Sequence, residues 1–534
     1  MSYHFNPAEQ VSMLHIPAPV YGVAPDDPRQ FFYRVTSFDA SSVFSSTALM
    51  LLNNNNKPLP PDPALVAFDG NEDPERPTNF AAWQKWTAVG VICSASLCVT
   101  CTSSIMASAY AGAAKEFDVS LEVAVLGVSL YVLGLGIGPR ELENDPHPTL
   151  EHHTSVVLLA RLSKFYGRNP IYMSSYGSYF GMSFLVAFSP TMGVFLVFRF
   201  LTGFAGSAFF SVAGGSIADL FTPQTIGFPT ALYTLSALIG PVVGPLLEYQ
   251  LVLYVKPGIP TGALAHPNLT GTFYLIIIWS FVKLLMLYLL VPEMHQGSVL
   301  RRKAVKLRED LKDPFLYALI EKDKRSVWRV MLQSLKVLFL LIAKECMALF
   351  LDIWTALLLG ILYLFFEAIP ITIEEKYGFD QQSSGLAFLG IGLGMIIGLA
   401  TQPYWHSKYV NDVTVAGRAY PETRLPIVKA GALLVPLGLA WFAVTSYSQI
   451  HFMVPILGTL VFGIGCFFIF SGVFTFLVEA YRPYAASAMA GNSLIRCLFA
   501  AGFPFFAKQM YVSLGTVGAT ILLATLTLLM LPLP

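Results

Sequence analysis

Charge is what this chain of 534 residues is short of. Only 12% of its residues are Asp, Glu, Lys or Arg, about half the share in a soluble domain. So few charges cannot cover the surface of a soluble protein of this length, and the shortage argues equally against a disordered chain. Net charge is absent as well: 33 basic residues balance 33 acidic ones, which removes the usual signature of a nucleic-acid partner. There is no GxxxxGK phosphate loop to bind ATP, and none of the nine histidines stands in an HExxH or similar spacing. Cysteine is sparse. The six, at 93, 98, 101, 346, 466 and 497, all lie in apolar stretches, so neither a disulfide framework nor a zinc site is expected; the CxxC at Cys98–Cys101 lacks polar co-ligands. No basic start followed by an apolar core marks a signal peptide.

What is present is apolar: 55% hydrophobic and 13% aromatic residues, with a mean hydropathy of +0.60. Windows long enough to span a bilayer recur from Trp86 onward. They are 86–110, 121–139, 170–189, 193–216, 226–248, 271–291, 346–369, 384–403, 426–446, 453–478, 485–507 and 514–533. These twelve windows are continuous rather than alternating, so they predict helices, which bond their own backbone in lipid. The expected fold is an all-α polytopic membrane protein.

Residues 1–80 contain no such window and are rich in Pro, Asn, Ser and Asp, which predicts a mobile polar tail. Basic residues collect after even-numbered spans: Arg161, Lys164 and Arg168 after span 2, Lys408, Arg418 and Arg424 after span 8. The loop Arg301–Lys344, after span 6, has twelve basic and five acidic residues. Both termini are therefore expected in the cytoplasm. Six spans (81–292), a basic loop (293–344) and six more spans (345–534) make a plan of two halves. Within the loop, RRKAVKLRED predicts an amphipathic helix against the anionic inner leaflet.

Several polar or bending residues stand out inside the spans. In SALIGPVVGPLL, Gly240 and Gly244 allow another helix to approach closely, and Pro241 and Pro245 bend their own helix. Either an ordinary packing kink or a moving seal fits them. Arg199, in span 4, either faces the interior or snorkels to water. Arg496 and Asn492 lie one turn apart in span 11 and form a polar seam between helices. Cys98, Thr102 and Ser103 read as packing glue. Lys283, in span 6, either snorkels or finds a carboxylate.

The segment LSKFYGRNPIY, holding Gly167 and Arg168, resembles the loop signature of the major facilitator superfamily between spans 2 and 3. The resemblance extends to one branch, the fungal-type twelve-spanner drug:proton antiporters. It is carried by LVAFDGNEDPERPTNFAAWQKW, LLVPEMHQGSVLRRKAVKLRED, LYLFFEAIPITIEEKYGFD, GLAFLGIGLGM, AYPETRLP, FLVEAYRPYAASAMAGNSLIR and FPFFAKQMYVSLG, in that order over residues 65–532. It implies two six-helix bundles that alternate access, and proton-driven export of small hydrophobic or cationic compounds. It also implies a monomer in the plasma membrane, with protons, a small-molecule substrate and the bilayer as partners and no cofactor.

The chain departs from that branch in places. A polar run of eighteen residues, 140–157, breaks into the end of span 2; LVLYVKPGIPTGALAHPNLTG replaces a short outer loop, and the chain stops early at LPLP. Retained introns or an aberrant gene would explain these, and so would plain loop variation. Lys164 stands where the family has an acid, so it should repel Arg168 and weaken the inner lock. The rival functions are a non-transporting member and an uptake symporter; a membrane enzyme lacks any paired catalytic constellation.

Proton-driven transport needs an acid that loads and unloads as access changes sides. Glu367, beside Tyr363, Phe365 and Phe366, is the first candidate; Tyr363 and Phe366 could supply an aromatic wall to a flat cation. Glu345 and Glu479, at the inner ends of spans 7 and 10, follow, and all three also fit plain interfacial roles. Arg199, Asn492 and Arg496 complete the expected cavity lining. Asn268, in an NLT sequon, is expected in an outer loop open to glycosylation.

Overall fold

In the computed structural model, residues 64–69, 72–138, 167–222, 225–255, 267–318, 321, 338–416, 420–481 and 485–533 are described. The run 140–157, Arg161, Lys164 and most of the tail lie outside them. The helices, in order, are α1 Ala82–Ser104, α2 Leu121–Ile137, α3 Arg168–Ala187, α4 Met192–Leu220, α5 Gly227–Val255 and α6 Pro267–Leu290. A linker helix, Gln296–Leu311, follows, then α7 Cys346–Tyr377, α8 Ser383–Val415, α9 Leu425–Thr445 and α10 Met453–Ala480. A last helical run, Ala485–Leu529, is parted at Gly515, whose φ of +69° breaks the ladder. Its two parts are α11 and α12.

Nine helices among the described residues are long and apolar enough to cross a bilayer. The count falls short of twelve for physical reasons. The last run holds two spans. The α2 helix is apolar but only 17 residues long, and α3 is diluted by serines and tyrosines. Every expected window falls on a helix, though the ends move. Helix α5 runs to Val255 and α6 starts at Pro267, so the expected outer loop shrinks and Asn268 stands in the first turn of α6. Hydrogen bonding carries α5 through the polar Glu248 and Gln250 into the apolar run after them.

Packing repeats between the halves. Helix α1 lies against α5, α2 against α4 and α3 against α4; likewise α7 lies against α11, α8 against α10 and α9 against α10. Contacts of α2 with α11 and of α5 with α8 join the halves. Two glycines set the α1–α5 spacing. A Cβ on Gly240 would overlap Thr100 Oγ1, and one on Gly244 would overlap Ser104 Oγ.

The linker helix corrects two expectations. Its apolar residues Leu300, Ala304 and Leu307 pack with Val66, Leu316 and Ala318, so that face is covered by the chain itself rather than by lipid. Residues 64–69 and 72–81 are ordered ahead of α1. Leu65 pairs with Tyr317 in a parallel bridge, and Lys303 Nζ reaches Asp69 at 2.6 Å and Asp73 at 2.9 Å. The Asp69 amide, Lys303 and the Glu75 amide together hold the Asp73 carboxyl down at about 2. Its stabilising share is complete above an unfolded value of about 3.9. That share is lost only as pH falls through the lowered value, so the clasp is fully formed at neutral pH.

Candidate functional site

Four polar groupings occupy the helix bundle. The first lies where α3 begins. Gly167 has φ +104°, and a Cβ there would run into the Glu293 carboxylate, so only glycine fits. Glu293 accepts from the amides of Arg168 at 2.8 Å, Asn169 at 3.3 Å and His295 at 2.9 Å. It thereby serves the donors left open at the start of α3. The Arg168 side chain turns inward and its Nε donates to Asp219 Oδ2 at 3.0 Å, with both side chains fully buried. Arg168 thus finds its carboxylate at the end of α4, not in its own loop. Breaking a buried pair leaves an uncompensated charge. Asp219→Ala should therefore lower stability by about 3–5 kcal/mol, read as a fall in the melting temperature of the purified protein. An unchanged melting temperature would show that the pair contributes nothing.

The second grouping repeats the first in the other half. Arg424, at the start of α9, donates to Glu479, at the end of α10, at 2.7 and 3.0 Å. The guanidinium lies 3.4 Å from the centre of the Tyr409 ring, and the Tyr409 hydroxyl donates to the same carboxylate at 3.3 Å. Glu479 is therefore an ion-paired residue. Glu345, just ahead of α7, accepts from the Tyr481 hydroxyl at 3.4 Å.

The third grouping is central. Arg199 is fully buried, so it faces the interior rather than snorkelling. Its Nε donates to the Gly127 carbonyl at 3.0 Å and its Nη1 to the Thr102 carbonyl at 3.1 Å. The rings of Tyr131 and Phe273 lie 4.7 and 5.5 Å from its charge. Around it, the Thr102 and Tyr179 hydroxyls bond at 2.7 Å, and Tyr131 donates to the Val99 carbonyl at 2.8 Å. The Ser103 and Tyr363 hydroxyls, at 2.6 Å, join α1 to α7 and hence one half to the other. The residues read as packing glue are thus members of a polar cluster. Glu367 is half-buried one turn beyond Tyr363. Phe366 stacks edge-on against Tyr363 with centroids 4.9 Å apart.

The fourth grouping joins α7 to α11. Asn492 Nδ2 donates to Asp352 Oδ1 at 2.9 Å and to Thr355 Oγ1 at 2.7 Å. Arg496 donates to Ser493 at 3.0 Å and lies against the Phe470 and Phe474 rings. Asn492 bonds to Asp352 directly, and Arg496, one turn on, acts on the same carboxylate through its charge. Lys283 meets neither expectation in full: it is half-buried, with the Met286 sulfur at 3.7 Å. Asn268 has only its backbone described.

Asp352, Asp219 and Glu293 are the site residues that pattern reading misses. Asp352 carried a usable signal, as a lone acid inside an apolar window. Asp219 and Glu293 gave little, because both stand at helix ends, where charge is ordinary.

The family model for the Major Facilitator Superfamily matches residues 92–504. The chain is 36% identical to "Efflux pump atB" of Aspergillus terreus over 88% of this chain and 86% of that protein. It is also 36% identical to "Probable drug/proton antiporter YHK8" of Saccharomyces cerevisiae, over 87% and 86%. Among solved structures, a proton:xylose symporter bound to 6-bromo-6-deoxy-D-glucose aligns with a TM-score of 0.58 at 14% identity, over 85% of this chain and 95% of that one. A human organic anion transporter aligns with a TM-score of 0.53 at 16% identity, over 84% and 99%.

Proposed function

The chain belongs to the major facilitator superfamily, a multi-pass membrane transporter and not an enzyme, and from that premise we propose proton-coupled export of small hydrophobic or cationic compounds. Relatives named as an efflux pump and a drug/proton antiporter support export and the coupling ion. The observation that carries the reading is the placing of Glu367. It stands half-buried beside the Ser103–Tyr363 bond between the halves. A proton there would act on the contact that must open and close as access alternates.

Glu367 is the coupling acid in this reading, with Tyr363 and Phe366 on the wall that meets substrate and Arg199 behind it. The Arg168–Asp219 and Arg424–Glu479 pairs hold one end of each half, and the α1–α5 glycine seam carries the motion. Both termini face the cytoplasm, because basic residues follow the even spans. The protein works as a monomer in the plasma membrane.

The test is a drug-susceptibility panel in a pump-deficient fungal host, with dye efflux measured before and after a proton uncoupler. Raised resistance to at least one compound, with efflux abolished by the uncoupler, is the expected result. Efflux indifferent to the uncoupler would overturn the coupling, and inward accumulation would overturn the direction.

A further inference from the structure

Helix α7 carries a second carboxylate, buried and far from the first. Asp352 is 2% exposed, and it precedes Glu367 by fifteen residues on the same helix, which is about 22 Å of helix rise. A separation of fifteen residues also turns the helix by only about 60° from one acid to the other, so both lie on one side of α7. The two cannot share one proton, and each sits near a different end of the helix.

The surroundings of Asp352 are fully polar on one side. Asn492, wholly buried on α11, gives both of its amide hydrogens, one to Asp352 and one to Thr355. The Thr355 hydroxyl is occupied in turn by the carbonyls of Leu351 at 3.0 Å and Asp352 at 3.1 Å. The carbonyl oxygen of the same Asn492 amide is buried with no donor. Buried acceptors are seldom left so. The cluster is one hydrogen short, and that hydrogen belongs beside a carboxylate.

We propose that Asp352 is a second proton-binding site, with Asn492 as an amide that serves both of its charge states. With Asp352 ionised, Nδ2 donates to it as observed. When a proton from water bonds to a carboxylate oxygen, Asp352 loses its negative charge and gains an O–H. The amide then turns over so that its oxygen accepts that O–H, and the Thr355 hydroxyl can donate to the same oxygen. Release of the proton to water reverses both steps.

The groups that face the site are few among the described residues. Arg496 on α11 acts on Asp352 through its charge. Tyr481, just past α10, faces both Asp352 and Glu345. Ile342, ahead of α7, lies over Gly491 and shields the cluster from the loop end. The site thus lies near the end of the bundle where α3, α7 and α9 begin, closed from the loop by Ile342, while Glu367 serves the other end. The proposal deepens the proton-coupled reading and rests on it for its role in transport, but its test needs no transport.

That test is infrared difference spectroscopy of the purified full chain in lipid nanodiscs, with pH stepped from about 5 to 9, above the range where exposed carboxyls are protonated. The wild type should show a carboxylic-acid C=O band that disappears as pH rises. Asp352→Asn should lose that band, and Glu367→Gln should keep it. A spectrum of Asp352→Asn superimposable on wild type would overturn the proposal. Should Asp352→Asn fail to fold, Asn492→Leu decides: the band should persist with its midpoint moved by about one pH unit or more, and an unmoved midpoint counts against the site. If the band is found and Glu367→Gln still exports normally, the coupling role assigned to Glu367 fails while the Asp352 site stands.

Discussion

Glu367→Gln is expected to cut gradient-driven export on the order of a hundredfold, the ordinary reach of one proton-carrying group, with protein abundance unchanged. Glutamine keeps the shape and hydrogen-bonding reach of a protonated glutamate but cannot release a proton. The geometry says why the effect should be large. Glu367 lies one turn beyond Tyr363, whose hydroxyl bonds to Ser103 at 2.6 Å across the two halves. Tyr110, buried with its hydroxyl unpartnered, stands in the field of both Glu367 and Arg199. A change of charge at Glu367 is therefore felt by that phenol. Glu367→Asp should retain part of the activity, because the acid is kept and only its reach shortens. Dye efflux in a pump-deficient host, compared at equal abundance, gives the measurement. Uncoupler-sensitive pumping at the wild-type rate by Glu367→Gln would move the coupling proton to another acid.

Gly244→Leu should abolish transport without keeping the protein from the membrane. A Cβ at this position would already overlap Ser104 Oγ and come within 2.8 Å of the Cys101 carbonyl and 2.9 Å of the Ile105 amide. Two of those three neighbours are backbone and cannot swing aside. Leucine adds three more carbons to that clash, so α5 must shift away from α1, at a cost of about 1–3 kcal/mol. The strain is tolerable for folding. The lost register is not tolerable for a seam that must close in more than one state. Gly90→Leu is the control: it lies on the same α1, and nothing stands within 4 Å of its Cβ position. Normal export by Gly244→Leu would remove the seam from the mechanism, and loss of export in Gly90→Leu would show that added bulk in this helix pair is harmful even away from the seam.

Much of the architecture is written in the apolar windows because a helix in lipid needs no partner to satisfy its backbone. That is why twelve stretches can be marked out without knowing their neighbours. Ends are harder. Helix α5 continues to Val255 although Glu248 and Gln250 interrupt its apolar run, since the hydrogen-bond ladder does not depend on side-chain polarity. Partners are harder still. Arg168 and Asp219 are 51 residues apart in sequence and 3.0 Å apart in space, and no periodicity announces which helix an end will meet. The same limit hid the Asp352–Asn492 bond, which spans 140 residues. Ser103 reads as packing glue and Tyr363 as a cavity wall in sequence, and only their 2.6 Å contact shows them bridging the halves.

The clasp of residues 64–79 on the linker helix gives the first six helices a closed circuit. Their entry and exit strands meet at the Leu65–Tyr317 bridge and the Lys303 ion pairs, so the first bundle is tied into a ring by contact as well as by chain. The second bundle lies outside that ring. A chain severed between Ala318 and α7 would leave both ends of the first bundle still fastened to each other. The cut would cost only the tether between the halves, which could then be supplied as two separate polypeptides.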